Sequence, residues 1–234
     1  MTRRSACRTA LAVILGALAW ADCAIAQEAS AEIVRGQAGE WLVASDDGRP
    51  GCRVTLRTQK IVGGYAASAA SDCATKVPRL ANLTAWSFSD GVTLSDAARK
   101  PILVFGEDET TILKTRSGGP PVWYLTKPKA GIDRLPHASA VFGTWAMRRP
   151  NGPPICTVTF RDKPPKEGEE SYALALDPGC DPAIRKLKLG SWRIDDTSLV
   201  LDGEESGLQF ELASFGFEKV REQGSRPLQL VRQP

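Results

Sequence analysis

Cysteine and histidine are the residue types best suited to chemistry in this chain, and their spacing argues against catalysis. The single histidine, His137, lies in a proline-bearing stretch, so the chain offers no second histidine for proton relay or for a zinc hydrolase. Six cysteines occur, but they form no Cys-x-x-Cys pair, and the sequence contains no Gly-x-Ser-x-Gly turn, phosphate-binding glycine loop or dinucleotide fingerprint. The sequence therefore predicts a protein that is not an enzyme and that holds no metal or cofactor.

The second half of the chain repeats the first half. Seven bulky or rare residues recur in the same order at offsets of 104 to 107 residues. The pairs are Trp41/Trp145, Cys52/Cys156, Tyr65/Tyr172, Cys73/Cys180, Trp86/Trp192, Phe105/Phe210 and Leu125/Leu230. A period this long indicates a duplicated domain rather than a solenoid, whose units are roughly 20–50 residues.

Two acidic stretches, Glu107-Asp108-Glu109 and residues 167–170, could act as metal ligands or paired acids. They do not fall at corresponding positions of the repeat, so solvated loop charge is the better interpretation. The repeated tryptophans and tyrosines present a similar choice, because they could line a ligand cavity or fill a core. Large residues in such positions more often fill the interior of a small barrel, which favours core packing.

Residues 1–26 have the features of a secretory signal peptide. Arginines stand near the start, Ala10 to Trp20 is apolar but too short to span a bilayer, and Ala24-Ile25-Ala26 offers small residues to a signal peptidase. Cleavage is expected before Gln27, and lipid attachment at Cys23 is an alternative that fits the preceding residues less well. We expect a periplasmic or secreted protein without a transmembrane segment.

The mature chain is expected to be almost neutral and to carry two disulfide bonds. Removal of residues 1–26 takes away three arginines and one aspartate, which leaves 27 basic and 26 acidic residues and no basic cluster that would indicate a nucleic-acid partner. Four cysteines remain, which in an oxidising compartment suggests disulfides with three possible pairings. Because a domain duplicated whole should close its bridge within itself, we predict Cys52–Cys73 and Cys156–Cys180.

Alternation of polar and apolar residues predicts that each half is built from short β-strands. Residues 53–57 and 85–89 alternate with period two, and Asp90-Gly91 between alternating runs is a strong hairpin signal. About eight short antiparallel strands in each half suggest a small closed barrel, which leaves no unpaired edge. We therefore predict an all-β chain of two tandem eight-stranded barrels with one disulfide each.

The domain boundaries follow from these segments. The prediction places a signal peptide at 1–26, a free and structureless N-terminal segment at 27–38, the first barrel at 39–128, a linker at 129–140 and the second barrel at 141–234. The linker holds proline, glycine and charge but no apolar period.

The order of motifs in each half resembles that of a known family. Gly-x-Trp, Cys-x-Val-x-Leu, a second Cys and Ala-Trp-x-Phe-x-Asp-Gly-x-x-Leu are followed by a late Phe and Leu. This pattern is similar to that of the bacterial Inh-type metalloprotease inhibitors, the alkaline protease inhibitor family, with relatives among small envelope lipoproteins. The resemblance is clearest over Gly39–Thr126 and looser over Gly143–Arg232, so two tandem copies cover nearly all of the mature chain.

The resemblance implies an eight-stranded periplasmic barrel with one disulfide and a function in protease inhibition. In such inhibitors the free N-terminal segment enters the active-site cleft of a serralysin-type zinc protease, and its terminal amine reaches the protease's zinc while the barrel blocks the cleft. The matching inhibitory segment in this chain is Gln27, Glu28, Ala29, Ser30 and Ala31.

The sequence is therefore compatible with two functions. The first is a monomeric inhibitor of a secreted or periplasmic metalloprotease, with the inhibitory segment on the first barrel. The alternative is a non-enzymatic envelope binding module whose barrels contact another protein or a small apolar ligand.

Overall fold

The described part of the chain forms two closed β-barrels, one after the other. The computed structural model describes residues 30–107, 112–220 and 226–233. The first barrel contains β1 (Gly39–Ser45), β2 (Cys52–Ile61), β3 (Gly64–Ala69), β4 (Ala85–Phe88), β5 (Gly91–Ser95), β6 (Pro101–Glu107), β7 (Leu113–Thr115) and β8 (Trp123–Thr126). The second barrel contains β9 (Gly143–Arg148), β10 (Pro154–Phe160), β11 (Tyr172–Leu176), β12 (Ser191–Asp195), β13 (Ser198–Asp202), β14 (Leu208–Ala213), β15 (Gly216–Lys219) and β16 (Gln229–Arg232).

Neighbouring strands pair antiparallel in chain order in both barrels. β8 pairs with β1, and β16 pairs with β9, which closes each sheet on itself. The Asp90-Gly91 signal falls at the turn from β4 to β5, with Gly91 as the first residue of β5, so the predicted hairpin is found there. The prediction of two tandem eight-stranded antiparallel barrels is confirmed.

Short helices interrupt the strands at corresponding points of the two copies. They are α1 (Ala31–Gln37), α2 (Cys73–Lys76), α3 (Ala138–Val141) and α4 (Pro182–Arg185), with a 3₁₀ turn at Pro78–Leu80. α1 and α3 each precede the first strand of a barrel, and α2 and α4 each lie between its third and fourth strands. Within the described ranges, no helix has the length and apolar character needed to span a bilayer.

Alternation along the strands fills each barrel with apolar side chains. In β2, Val54 and Leu56 are 1 % exposed, whereas Thr55 between them is partly exposed. The repeated tryptophans expected in the core are all buried there: Trp41, Trp86, Trp145 and Trp192. Tyr65 and Tyr172 are partly buried, and their ring centroids lie 5.3 and 4.7 Å from those of the central tryptophans Trp86 and Trp192. The aromatic residues of the repeat are therefore packing residues.

Both predicted disulfides form within their own barrels. The Cys52–Cys73 bridge has a Cα–Cα distance of 5.2 Å, and the Cys156–Cys180 bridge has one of 4.1 Å. Each bridge ties the second strand of a barrel to the connection that carries its short internal helix. The closed loops span 21 and 24 residues in sequence, for which the chain-entropy model gives about 3 kcal/mol of stabilisation each.

The expectation that residues 27–38 lack structure is wrong for Ala31–Gln37, which forms α1. The helix is capped by Ser30, whose Oγ accepts a hydrogen bond from the backbone N–H of Ile33 at 3.3 Å. Val34 is the buried residue of α1. With one buried position in seven residues, the helix has no apolar stripe that a sequence pattern could reveal.

The segment that joins the barrels packs on the outside of the first barrel. Leu135 is 5 % exposed and lies in an apolar cluster with Leu42, Ala44 and Tyr124. The backbone N–H of Gly51 also donates to the carbonyl oxygen of Asp133 at 2.6 Å. The first part of this segment is therefore held by the first barrel.

Charged side chains connect the two barrels directly. The Nζ of Lys114 lies 2.9 Å from a carboxylate oxygen of Asp196, and the hydroxyl of Tyr124 donates to the same oxygen at 2.8 Å. Lys129, at the start of the linker, forms a further ion pair with Glu211 of β14. Asp196 occupies the turn between β12 and β13 with a φ of 49°, a backbone region that Asp tolerates better than most residues.

Candidate functional site

The candidate segment from the sequence, residues 27–31, ends where α1 begins. Gln27, Glu28 and Ala29 lie outside the described residues. Ser30 and Ala31 are exposed, and Ser30 is the N-cap of α1. The last two residues of the segment thus lie at the start of a helix.

Two contacts hold α1 on the first barrel. Val34 is 3 % exposed and belongs to the barrel's apolar core together with Trp41 and Val54. The indole N–H of Trp41 donates to the carbonyl oxygen of Gln37 at 2.8 Å, which satisfies an acceptor that the helix end leaves without an internal partner. Because an isolated helix of this length is not stable in water, α1 depends on these contacts.

A lysine packs against the Trp41 ring. The Nζ of Lys127 lies 3.5 Å from the ring centroid, within the range of a cation–π interaction. Burial lowers the pKa of Lys127 below its ordinary value, because desolvation disfavours the charged ammonium. Sequence reasoning missed this residue, since it follows β8 and only the β1–β8 pairing that closes the barrel brings it beside Trp41.

The second barrel repeats this anchoring with a different segment in front of it. The indole N–H of Trp145 donates to the carbonyl oxygen of Val141 at 2.7 Å, so α3 is held as α1 is. The guanidinium carbon of Arg232 lies 5.5 Å from the Trp145 ring centroid and replaces the lysine of the first copy. The linker leads directly into α3, so a processed N-terminus cannot lie in front of the second barrel.

The remaining candidates for chemistry have structural roles or lie in solvent. His137 is the N-cap of α3, and its Nδ1 lies 2.8 Å from the Oγ of Ser139. Glu107 and residues 167–170 are exposed, whereas Asp108 and Glu109 fall outside the described residues. Over residues 30–107, 112–220 and 226–233, no group of three or more His, Cys, Asp or Glu side chains could hold a metal ion.

Large aromatic side chains occupy the interior of both barrels. Trp86 and Phe105 in the first barrel, and Trp192 and Phe210 in the second, have no exposed surface. In small barrels the interior is commonly filled in this way rather than left as a ligand cavity. A partner or ligand would therefore have to contact the outer surface of a barrel and not its interior.

Comparison with known families matches both barrels. The family model described as "Protease inhibitor Inh" matches residues 34–123 and residues 135–232, which together make up most of the chain. The first match begins at Val34, the buried residue of α1, so residues 27–31 lie upstream of it. No curated protein sequence matches the chain.

Proposed function

Because the chain belongs to the protease inhibitor Inh family through both of its barrels, we propose that it inhibits a secreted or periplasmic zinc metalloprotease of the serralysin type. In this proposal the chain is not an enzyme, needs no cofactor and acts as a monomer outside the cytoplasm after loss of residues 1–26. The zinc is the protease's own.

The observation that carries the proposal is the docking of α1. Its buried Val34 and the Gln37–Trp41 hydrogen bond fix the helix on the first barrel immediately downstream of the candidate segment. A short segment that extends from a fixed point loses less conformational entropy on entering a cleft than a segment on a long free tether. We expect residues 27–31 to lie extended in the substrate cleft while the barrel covers its entrance.

The terminal amine of Gln27 is the group proposed to reach the zinc. A neutral amine is a good zinc ligand, whereas a protonated ammonium or an amide nitrogen is not. The second barrel cannot supply such a group, because the linker precedes α3. Inhibition by this route therefore belongs to the first barrel.

A deletion series tests which part of the chain inhibits. Mature protein is titrated against a panel of metallo-, serine and cysteine proteases, with its N-terminus confirmed by mass spectrometry. Deletion of residues 27–31 should abolish inhibition and leave both barrels folded, because the segment lies outside every strand. Deletion of residues 141–234 should leave much of the inhibition. The reverse pattern would place the active surface on a barrel wall and favour the envelope binding module over the inhibitor.

Cyclisation of the N-terminal glutamine tests the zinc ligand itself. Glutaminyl cyclase joins the amine of Gln27 to its own side-chain amide with loss of ammonia, which removes the basic amine without adding bulk. Treated mature protein should lose inhibition, whereas Gln27→Ser protein keeps a free amine, cannot cyclise and should be unaffected by the enzyme. Full inhibition by the cyclised protein would exclude the amine as the zinc ligand.

A further inference from the structure

The chain passes from the first barrel to the second at His137. Leu135 is buried in the apolar cluster on the outside of the first barrel. α3 begins one residue after His137 and places Val141 in the core of the second barrel. A Cβ atom added to Gly48 of the first barrel would lie 2.9 Å from the Cβ of His137, so His137 still lies against the first barrel while it caps α3. A motion of one barrel against the other would therefore turn at His137.

The two barrels share no apolar core. None of the three apolar clusters of the described residues contains side chains from both barrels. Two gaps lie along the contact instead. One, of about 420 Å³, lies between the linker and strands β14 and β15, and the other, of about 220 Å³, lies between β1, the linker and β14. Well-packed protein interiors contain few voids larger than a water molecule, so apolar burial contributes little to holding the barrels together.

Charged and polar side chains make the contact between the barrels. The Nζ of Lys114 lies 2.9 and 3.1 Å from the two carboxylate oxygens of Asp196, and the hydroxyl of Tyr124 donates to the nearer one. Lys129 of the linker forms an ion pair with Glu211. We call these contacts of Lys114 and Tyr124 with Asp196, and of Lys129 with Glu211, the clasp. The clasp joins the body that ends before His137 to the body that follows it.

Lys129 also reduces a repulsion within the second barrel. Glu211 of β14 stands directly opposite Glu218 of β15, and like charges in this arrangement destabilise a sheet. Both carboxylates line the larger gap together with Lys129. Separation of the barrels would take the lysine away and restore the repulsion. The Lys129–Glu211 contact therefore favours the closed arrangement more than an isolated surface ion pair would.

We propose that the two barrels form a salt-sensitive joint, which is hinged at His137 and closed by the clasp. Each contact of the clasp is weak, but the barrels are tethered, so closure is an intramolecular step for which weak contacts suffice. High salt stabilises the separated charges, because the Debye length falls from about 30 Å at 0.01 M to about 3 Å at 1 M. The joint is closed at low ionic strength and open at high ionic strength. It does not depend on the protease-inhibitor mechanism, because the clasp contains none of residues 27–31.

Nitrogen-15 relaxation of the full-length mature protein measures whether the barrels tumble together. At about 0.01 M salt, the amides of both barrels should give one rotational correlation time. At about 1 M sodium chloride, after correction for viscosity, each barrel should give a shorter correlation time of its own, while unchanged amide shifts in both cores show that both stay folded. One common correlation time at both salt concentrations, or separate tumbling at both, would overturn the proposal.

Residual dipolar couplings locate the hinge in the same protein. At high salt, the amides of each barrel should fit an alignment tensor of their own. The amide of Leu135 should fit the tensor of the first barrel and that of Val141 the tensor of the second, because the two side chains are buried on opposite sides of His137. A Leu135 amide that follows the second barrel, or one tensor for the whole chain at high salt, would contradict a hinge at His137.

Matched variants test the clasp. Lys114→Met with Lys129→Met removes both of its positive charges, whereas Lys100→Met with Lys186→Met removes the same charge from exposed lysines that neither belong to the clasp nor line its gaps. At low salt the first protein should tumble as two bodies and the second as one. Asp196→Asn should open at a lower salt concentration than the unmodified protein, because asparagine tolerates the positive φ of this turn but carries no charge. Common tumbling of the Lys114→Met/Lys129→Met protein, opening of the control at low salt, or an unchanged salt requirement in Asp196→Asn would exclude the clasp.

Discussion

Replacing Val34 by alanine should release α1 from the first barrel, and Ile33 provides a matched control. The two residues are adjacent aliphatic positions of the same helix, but Val34 is 3 % exposed and Ile33 is 40 % exposed. Alanine has a higher helix propensity than either residue, so both variants receive a similar small gain in helix stability. The difference between them therefore reports the burial of Val34.

The magnitude follows from the groups removed. Val34→Ala deletes two buried methyl groups, which costs about 0.8 kcal/mol each for lost burial plus a cavity contribution, or about 1.5–2.5 kcal/mol in all. Ile33→Ala should change the stability of α1 by no more than about 0.5 kcal/mol, as other surface substitutions do. Since α1 cannot persist alone in water, these values apply to docking and folding of the helix together.

Native-state hydrogen exchange measures the release of α1 from the first barrel directly. The N–H of Ala38 donates to the carbonyl oxygen of Val34 at 3.0 Å, so its exchange rate reports the intact end of α1. Val34→Ala should accelerate that exchange roughly 10- to 70-fold and Ile33→Ala by about twofold or less, with amides of the second barrel unchanged. Equal acceleration in the two variants would show that burial of Val34 does not hold the helix, and the anchoring argument for residues 27–31 would fail with it.

Three further predictions concern the barrels themselves. Replacing the Cys156–Cys180 bridge by two serines should lower the free energy of unfolding of the second barrel by about 2–5 kcal/mol and leave the first unchanged in urea titrations followed by residue-specific NMR. A double-mutant cycle of Lys114→Ala and Asp196→Ala should give a coupling of about 0.2–1 kcal/mol, and a value of zero would mean that this pair does not join the barrels. Fragment 27–128 should melt cooperatively, and its extension to residue 136 should melt several degrees higher because it adds the buried Leu135; equal melting temperatures would contradict that packing.

The sequence was sufficient for the fold because the information for it is local and was present twice. Asp90-Gly91 between alternating runs specifies a hairpin without reference to any other part of the chain. The pairing of Cys52 with Cys73 required only the argument that a copied domain keeps its bridge. Repetition turned seven weak residue matches into evidence for a domain boundary, which no single motif would have provided.

The anchoring of the candidate segment could not be predicted, because its determinants are not local. α1 forms through one buried valine and through the indole of Trp41, and a seven-residue helix with a single apolar contact leaves no periodic pattern. Lys127 reaches Trp41 because β8 pairs with β1 across the closure of the barrel. The contact of Asp196 with the first barrel likewise depends on how two finished barrels meet.

The two copies of the barrel differ in the surface residues that contact other parts of the chain, and these differences indicate which barrel is suited to binding another protein. The register places Glu218 of β15 where the first copy has Lys114, and Gln229 where it has Tyr124. Lys114 attracts the turn that carries Asp196, whereas a carboxylate at Glu218 would repel such a turn. The contact that joins the two barrels therefore cannot be repeated on the outer side of the second barrel, either by a further barrel or by a second chain. In addition, α1 of the first copy is the helix that follows the candidate segment. The features suited to binding another protein thus lie on the first barrel, while the second is joined to it by its turn and linker.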